Sequence, residues 1–177
     1  IGAAGAQSLA GMLQVNRSLN SINLLENNLG EDGLAHIAAA WEQSATLKSI
    51  CGIAAGATTA SLQNQSLGAA DARIIALELR FNRALTSLDL SLNQIGAGGA
   101  KAIADTILQS ALKSLTINVI LNIEDLKTSA SINLSGKGLR LEEVIIVVKC
   151  MEFNRALKSA NLANNLLLRL KSRLSIS

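Results

Sequence analysis

Aromatic residues are nearly missing from this chain. They make up 2% of its 177 residues, and there is no tyrosine. A core with so few rings is filled by Leu, Ile, Val and Ala stacked in regular layers. Proline is absent as well, which excludes a rigid linker or a proline-rich recognition segment. Histidine occurs once, at His36, and cysteine twice, at Cys51 and Cys150. Three such residues in unrelated contexts make no metal set, so neither a metal nor a cofactor is expected. Two cysteines are also too few for a disulfide-stapled secreted fold. They read as free thiols in a reduced, intracellular compartment, the cytoplasm.

The charge pattern excludes further classes. The net charge is +3, with Lys and Arg scattered singly. A nucleic-acid face needs clustered basic residues with stacking aromatics, so no nucleic acid is expected. No apolar run approaches the roughly 20 residues of a membrane span, and Ile1-Gly2-Ala3-Ala4 has no signal-peptide pattern. Three glycosylation sequons (at Asn16, Asn64 and Asn133) read as coincidences of a chain rich in Asn and Ser.

What the chain has in abundance is self-similarity. The frame Leu85-x-x-Leu88-x-Leu90-x-x-Asn93-x-Ile95 recurs from Leu19 to Leu29 and from Leu157 to Leu167, with weaker copies from Ala57 to Leu67 and from Ser129 to Leu139. Each unit has two halves of different period. Alternation in the first half, as at Ile22 and Leu24 or Leu88 and Leu90, predicts a short strand. In the second half apolar residues return at i, i+3, i+4, i+7. Such stripes are Ala6-Leu9-Ala10-Leu13, Leu34-Ile37-Ala38-Trp41, Ala72-Ile75-Ala76-Leu79, Ala100-Ile103-Ala104-Ile107 and Val144-Val147-Val148-Met151. The units are 28 residues long at 19–46, 57–84 and 129–156, and 27 at 85–111. Two pieces, 47–56 and 112–128, begin with a strand-like Leu-Lys-Ser and then lose the frame. Phe81-Asn82-Arg83-Ala84-Leu85 returns as Phe153-Asn154-Arg155-Ala156-Leu157, 72 residues on, which points to duplication of a block larger than one unit.

These motifs resemble the ribonuclease-inhibitor-like class of leucine-rich repeats, over nearly the whole chain except the two irregular pieces. The resemblance implies an α/β fold: a right-handed solenoid, or horseshoe, with parallel strands on the concave face and helices on the convex face. It also implies protein binding or assembly, and it brings no catalytic residues with it. Residues 1–177 then form a single array interrupted at 47–56 and 112–128. Ile1 aligns with Leu29 and Ile95, so the chain opens in mid-unit. The expectation is a fragment of a longer array, or a first layer covered by a partner. Leu166 to Lys171 abandons the turn pattern and reads either as a closing cap or as a sticky edge.

Physical reasons for the frame follow. A single strand–helix unit cannot bury both its strand face and its helix stripe, and stacking buries them against neighbours. Asn27, Asn93 and Asn165 stand where each strand ends, and an amide there can donate to and accept from buried backbone groups. Gln65 and Lys137, at the same frame position, predict looser turns. The paired glycines Gly2/Gly5, Gly30/Gly33 and Gly96/Gly99 predict tight backbone approach at the entry to each helix and not a phosphate cradle. Ser135-Gly136-Lys137-Gly138 lacks the flanking residues of a nucleotide-binding loop.

Strand side chains pointing away from the core are the candidate binding surface. They are Ser21, Asn23 and Leu25; Thr59, Ser61 and Gln63; Ser87, Asp89 and Ser91; Ser131, Asn133 and Ser135; Ser159, Asn161 and Ala163, joined by Ser114, Thr116 and Asn118. The column is small and polar and lacks the Trp, Tyr and Arg that anchor most interfaces. Either a partner docks through many weak hydrogen bonds, or binding lies elsewhere. The irregular pieces, with Cys51 to Gly56 and Val119 to Ile123, are the second candidate, set against the plainer reading of eroded units packed in the core. Trp41 belongs to an inward stripe and His36 to the outer face of the same helix. Asp89 is the one carboxylate in the column and has no second acid or base beside it, so no enzyme is expected. Three functions stay open: a protein-interaction scaffold, a structural subunit of a large assembly with end-to-end contacts, and a regulatory repeat module of the GTPase-activating or immune-sensor kind.

Overall fold

A computed structural model describes residues 1–165. Leu166 to Lys171, read above as cap or edge, and Leu167 of the last frame lie outside the described residues. The chain alternates helices and very short strands. The helices are α1 (Ala3–Val15), α2 (Gly30–Gln43), α3 (Ala69–Phe81), α4 (Gly96–Ile107), α5 (Ile123–Thr128) and α6 (Leu141–Glu152). The strands are β1 (Thr59–Ser61), β2 (Ser87–Asp89), β3 (Ser114–Thr116), β4 (Ile120–Asn122), β5 (Ser131–Asn133) and β6 (Ser159–Asn161). The five helical stripes fall on α1, α2, α3, α4 and α6, and residues from each stripe enter one continuous apolar cluster. Leu24, Leu62 and Leu90 are buried in that cluster and Leu134 packs against it. Layered burial of aliphatic side chains therefore runs through both irregular pieces.

The strands do not form one parallel ladder, and this corrects the uniform array expected from the frame. β1, β2 and β3 pair in parallel, with Thr59, Ser87 and Ser114 on one rung and Ser61, Asp89 and Thr116 on the next but one. β4 then pairs antiparallel to β3. β5 and β6 form a separate parallel pair. Near the N-terminus the ladder is reduced to a parallel bridge from Ser21 to Ser49 and an antiparallel one from Asn23 to Cys51. The cause is chain length. A parallel crossover needs a dozen or more residues, usually with a helix, whereas an antiparallel return needs only a tight turn. The piece 47–56 is too short for the helical return. In 112–128 the chain doubles back as a hairpin and has room only for the six-residue α5.

Glycine marks the close junctions. Gly33 in α2 and Gly99 in α4 are buried against the preceding helix. A Cβ at Gly99 would lie 2.7 Å from that of Ala72, and one at Gly33 would lie 3.0 Å from that of Ala6. This is the tight approach that the glycine pairs predicted.

Candidate interaction surface

The turn asparagines do what the frame required. Asn93 Nδ2 donates to the carbonyls of Leu62 and Leu90 at 2.7 and 2.9 Å, while its Oδ1 accepts from the backbone of Gln65 and Leu67. Asn165 repeats this with Leu134, Leu162 and Leu139. Gln65 and Lys137 are exposed, and the backbone around them takes another route. Positive φ falls at Asn64 and Ser66 around Gln65, and at Gly136 and Gly138 around Lys137. Asn93 and Asn165, each from the following unit, tie these two turns, so neither turn depends on its own side chain at that position.

The expected surface column divides into three groups. Thr59, Ser61, Ser87 and Asp89 share the four-stranded sheet, joined by Ser114 and Thr116; Gln63 and Ser91 follow the strand ends. Ser131, Asn133, Ser159 and Asn161 share the second sheet, with Ser135 and Ala163 just beyond. Ser21 and Asn23 sit at the two isolated bridges. One expectation fails: Leu25 is buried at 6% exposure, because the chain leaves the strand after Asn23 and the alternation no longer applies. Asn118 is exposed, as the alternation with buried Leu115 and Ile117 requires, but lies in the β3–β4 turn, where its backbone N–H and its Nδ2 both donate to Glu143 Oε1 at 2.8 and 2.9 Å.

Much of the remaining polarity is engaged locally. Asn23, Asp89, Asn133 and Asn161 occupy one frame position, and each accepts, through Oδ1, the N–H two residues on, at 2.8–3.1 Å. These side chains terminate strands. Ser159 Oγ donates to Ser131 Oγ at 2.9 Å, and Ser21 Oγ donates to the carbonyl of Ile53. A cleft of about 150 Å³ opens at the second interruption, where Ser131 and Asn133 border Asn122 and Asp125.

Three buried carboxylates escaped the sequence reading. Glu78 Oε2 accepts from Ser49 Oγ and from the N–H groups of Ile50 and Cys51, and Asn82 donates to Oε1 at 2.8 Å. Asp71 accepts from the N–H of Glu26 and of Gly68. Glu143 accepts from Arg140 N–H besides Asn118. Asp71 and Glu143 stand where Gly33 and Gly99 stand in other units. That exchange of glycine for acid beside the two irregular pieces was the available signal. Glu78 was signalled by an acid embedded in the apolar run of α3.

His36 is exposed, and Trp41 is buried with its Nε1 donating to the Leu47 carbonyl at 3.0 Å. Burial raises the Cys51 thiol well above its usual range, with the charge and hydrogen bond of Glu78 adding to the shift. Burial pushes Cys150 up to about 11, against a smaller opposing influence of Lys127. Both are neutral thiols at neutral pH, unsuited to nucleophilic attack. Among the described residues no helix is long and apolar enough to cross a membrane.

The family described as Leucine Rich repeat matches residues 77–104, from the second half of α3 through β2 into α4. This supports a leucine-rich-repeat protein of mixed α/β structure. Comparison with the curated proteins gives no match. Among solved structures, the tropomodulin C-terminal domain of Caenorhabditis elegans is similar over 96% of this chain and 89% of that one, at 12% identity and a TM-score of 0.38. A likeness that weak carries no argument about function.

Proposed function

We propose that this chain is a non-catalytic protein-interaction scaffold, a right-handed leucine-rich-repeat solenoid of the ribonuclease-inhibitor-like class that works inside the cell. The observation that carries the reading is the pair of rows Thr59/Ser87/Ser114 and Ser61/Asp89/Thr116, repeated in register on side chains that alternate with the buried Leu88 and Leu115. Leucine-rich repeats generally serve protein binding, and the matched unit lies at the centre of these rows. Ser61 and Ser87 are free of the strand-ending role that holds Asp89, so they are the positions to alter. Crosslinking mass spectrometry from the native source should identify a partner on this sheet. Ser61→Arg with Ser87→Arg should remove those crosslinks while leaving the circular dichroism spectrum unchanged. Crosslinks that persist would reject the strand face as the binding surface.

A second reading, a subunit packed within a large assembly, is favoured by α6. Leu141, Val148 and Phe153 along and just past this helix are 45, 44 and 59% exposed. A stable monomer by sedimentation at high protein concentration would count against it.

A further inference from the structure

Five copies of one frame in one chain act as controls for each other, since what folding needs at a position is met in all of them. The unit 85–111 departs from the other copies at two positions outside the core. At the fifth position Asn23, Asn133 and Asn161 end their strands with an amide, so ending a strand requires no charge. Asp89 ends its strand in the same way and adds a negative charge. No ion pair involves Asp89 among the described residues.

At the eighth position the backbone is left-handed in every copy, with φ between 55° and 65°. Glu26, Asn64, Gly136 and Asn164 are polar residues or glycine there, whereas Leu92 is apolar and 69% exposed. Leucine is strained in this conformation, and its exposed side chain gains nothing from burial. A third departure lies outside the frame. Ile120 in β4 stands directly opposite Thr116, which is itself opposite Asp89. Paired residues share a face, so the row Ser61/Asp89/Thr116 continues into Ile120, which is 75% exposed. Two strand spacings, about 10 Å, separate Asp89 from Ile120. Leu92 lies in the turn three residues beyond Asp89. These apolar groups supply the anchors that a face of Ser, Thr and Asn lacks.

The geometry points to the face of β2, β3 and β4 as the docking site for a basic, apolar peptide segment of a partner protein, an assignment that rests on the strand-face reading. The segment carries a Lys or Arg that meets Asp89 and, about 10 Å away, a large apolar side chain that covers Ile120. Leu92 is covered at the edge of the same contact. Charge complementarity selects the basic residue, because the two rows hold one carboxylate and no cation.

The probe is a library of random peptides of about 12 residues displayed on phage, each long enough to span the row. Peptides enriched on the whole chain are then synthesised and titrated against it. They should pair Lys or Arg with a large apolar residue, and added salt should weaken their binding. Ile120→Thr, which copies the opposite Thr116, should raise the dissociation constant about tenfold or more. Asp89→Asn, which restores the amide of the other copies, should raise it about threefold or more and flatten the salt dependence. This second variant keeps the strand end, so it decides the matter if Ile120→Thr disturbs the hairpin. Leu92→Asn should weaken binding yet raise the melting temperature of the free chain by about 2–4 °C, a pair of signs that a purely structural leucine would not give.

No enrichment, enriched peptides without a basic residue, or equal binding to all three variants would overturn the inference. If Ser61→Arg with Ser87→Arg abolishes binding that the three variants leave intact, the strand face stands and these anchors fall. If the arginines change nothing either, both readings fall. Self-association that Ile120→Thr abolishes would also overturn it, giving the face to a second copy of this chain.

Discussion

Helices meet in two ways in this molecule. At α1/α2 and α3/α4 consecutive full units stack, and position fifteen of the frame is glycine, Gly33 or Gly99, with the preceding helix against it. At α2/α3 and α4/α6 a shortened unit intervenes, and the same position is acidic, Asp71 or Glu143. α2 and α3 are bridged by long side chains, through Glu31–Arg73, Glu42–Arg80 and the Trp41–Phe81 contact. Removing a helix from a stacked array also leaves backbone N–H groups beyond the broken ladder without partners, and burying them unpaired costs about 1–3 kcal/mol each. Carboxylates from the next helix accept those hydrogens. Stacked junctions thus depend on having no side chain, and interrupted junctions on having one of defined length and charge.

The largest effect is expected from Glu78→Ala. Ser49, Ile50, Cys51 and Asn82 would lose their shared acceptor in a nearly dry site. The expected loss is about 3–5 kcal/mol in urea unfolding, a large part of a normal domain's stability. Amide exchange at Ile50 and Cys51 should accelerate far more than at Leu88. Equal stability would show that strand pairing, and not the carboxylate, holds the first interruption together.

Gly99→Ala comes next. Its new methyl would press on the methyl of Ala72 and, at 2.9 Å, on Ile95 Cγ2, neither able to swing away. The expected cost is about 1–2 kcal/mol even after the gain in helix propensity. Gly33→Ala should cost less, since its closest contact is 3.0 Å. The interrupted junctions respond to a gentler change. Asp71→Asn and Glu143→Gln keep the shape but turn an NH2 group toward N–H donors, for about 1 kcal/mol each by thermal unfolding. If the glycine and acid positions responded alike to both kinds of substitution, the two junction types would not be distinct.

Most of the element pattern was legible because it recurs: five helical stripes in one register fix where the helices lie and which way they face. What a frame cannot carry is the path of the chain where a unit is cut. The hairpin of β3 and β4 follows from the shortness of 112–128, which the sequence displayed, yet the same shortness suited an eroded unit equally well. An outward Leu25 follows only from extending an alternation that stops at Asn23. Asn23, Asp89, Asn133 and Asn161 were legible as a surface column but not as strand terminators, since alternation gives the face of a side chain and not the backbone hydrogen it accepts. Asp71 and Glu143 act across 45 and 25 residues of sequence, on Glu26 and Asn118. Spacing within one unit holds no record of such a contact.

Gly98 supplies the finest test of the contrast, because it differs from Gly99 by one position and not by helix, conformation or neighbours in sequence. It is exposed, has no positive φ, and a Cβ there would meet nothing nearer than the Ala69 methyl at 4.0 Å. Its glycine answers to no steric need, so it contributes only extra freedom to the unfolded chain. Gly98→Ala should therefore stabilise by about 0.5–1 kcal/mol, opposite in sign to Gly99→Ala, in paired urea titrations with a common slope. Destabilisation at both positions would mean that α4 as a whole resists added bulk. The close approach at Ala72 would then not be what keeps position fifteen small.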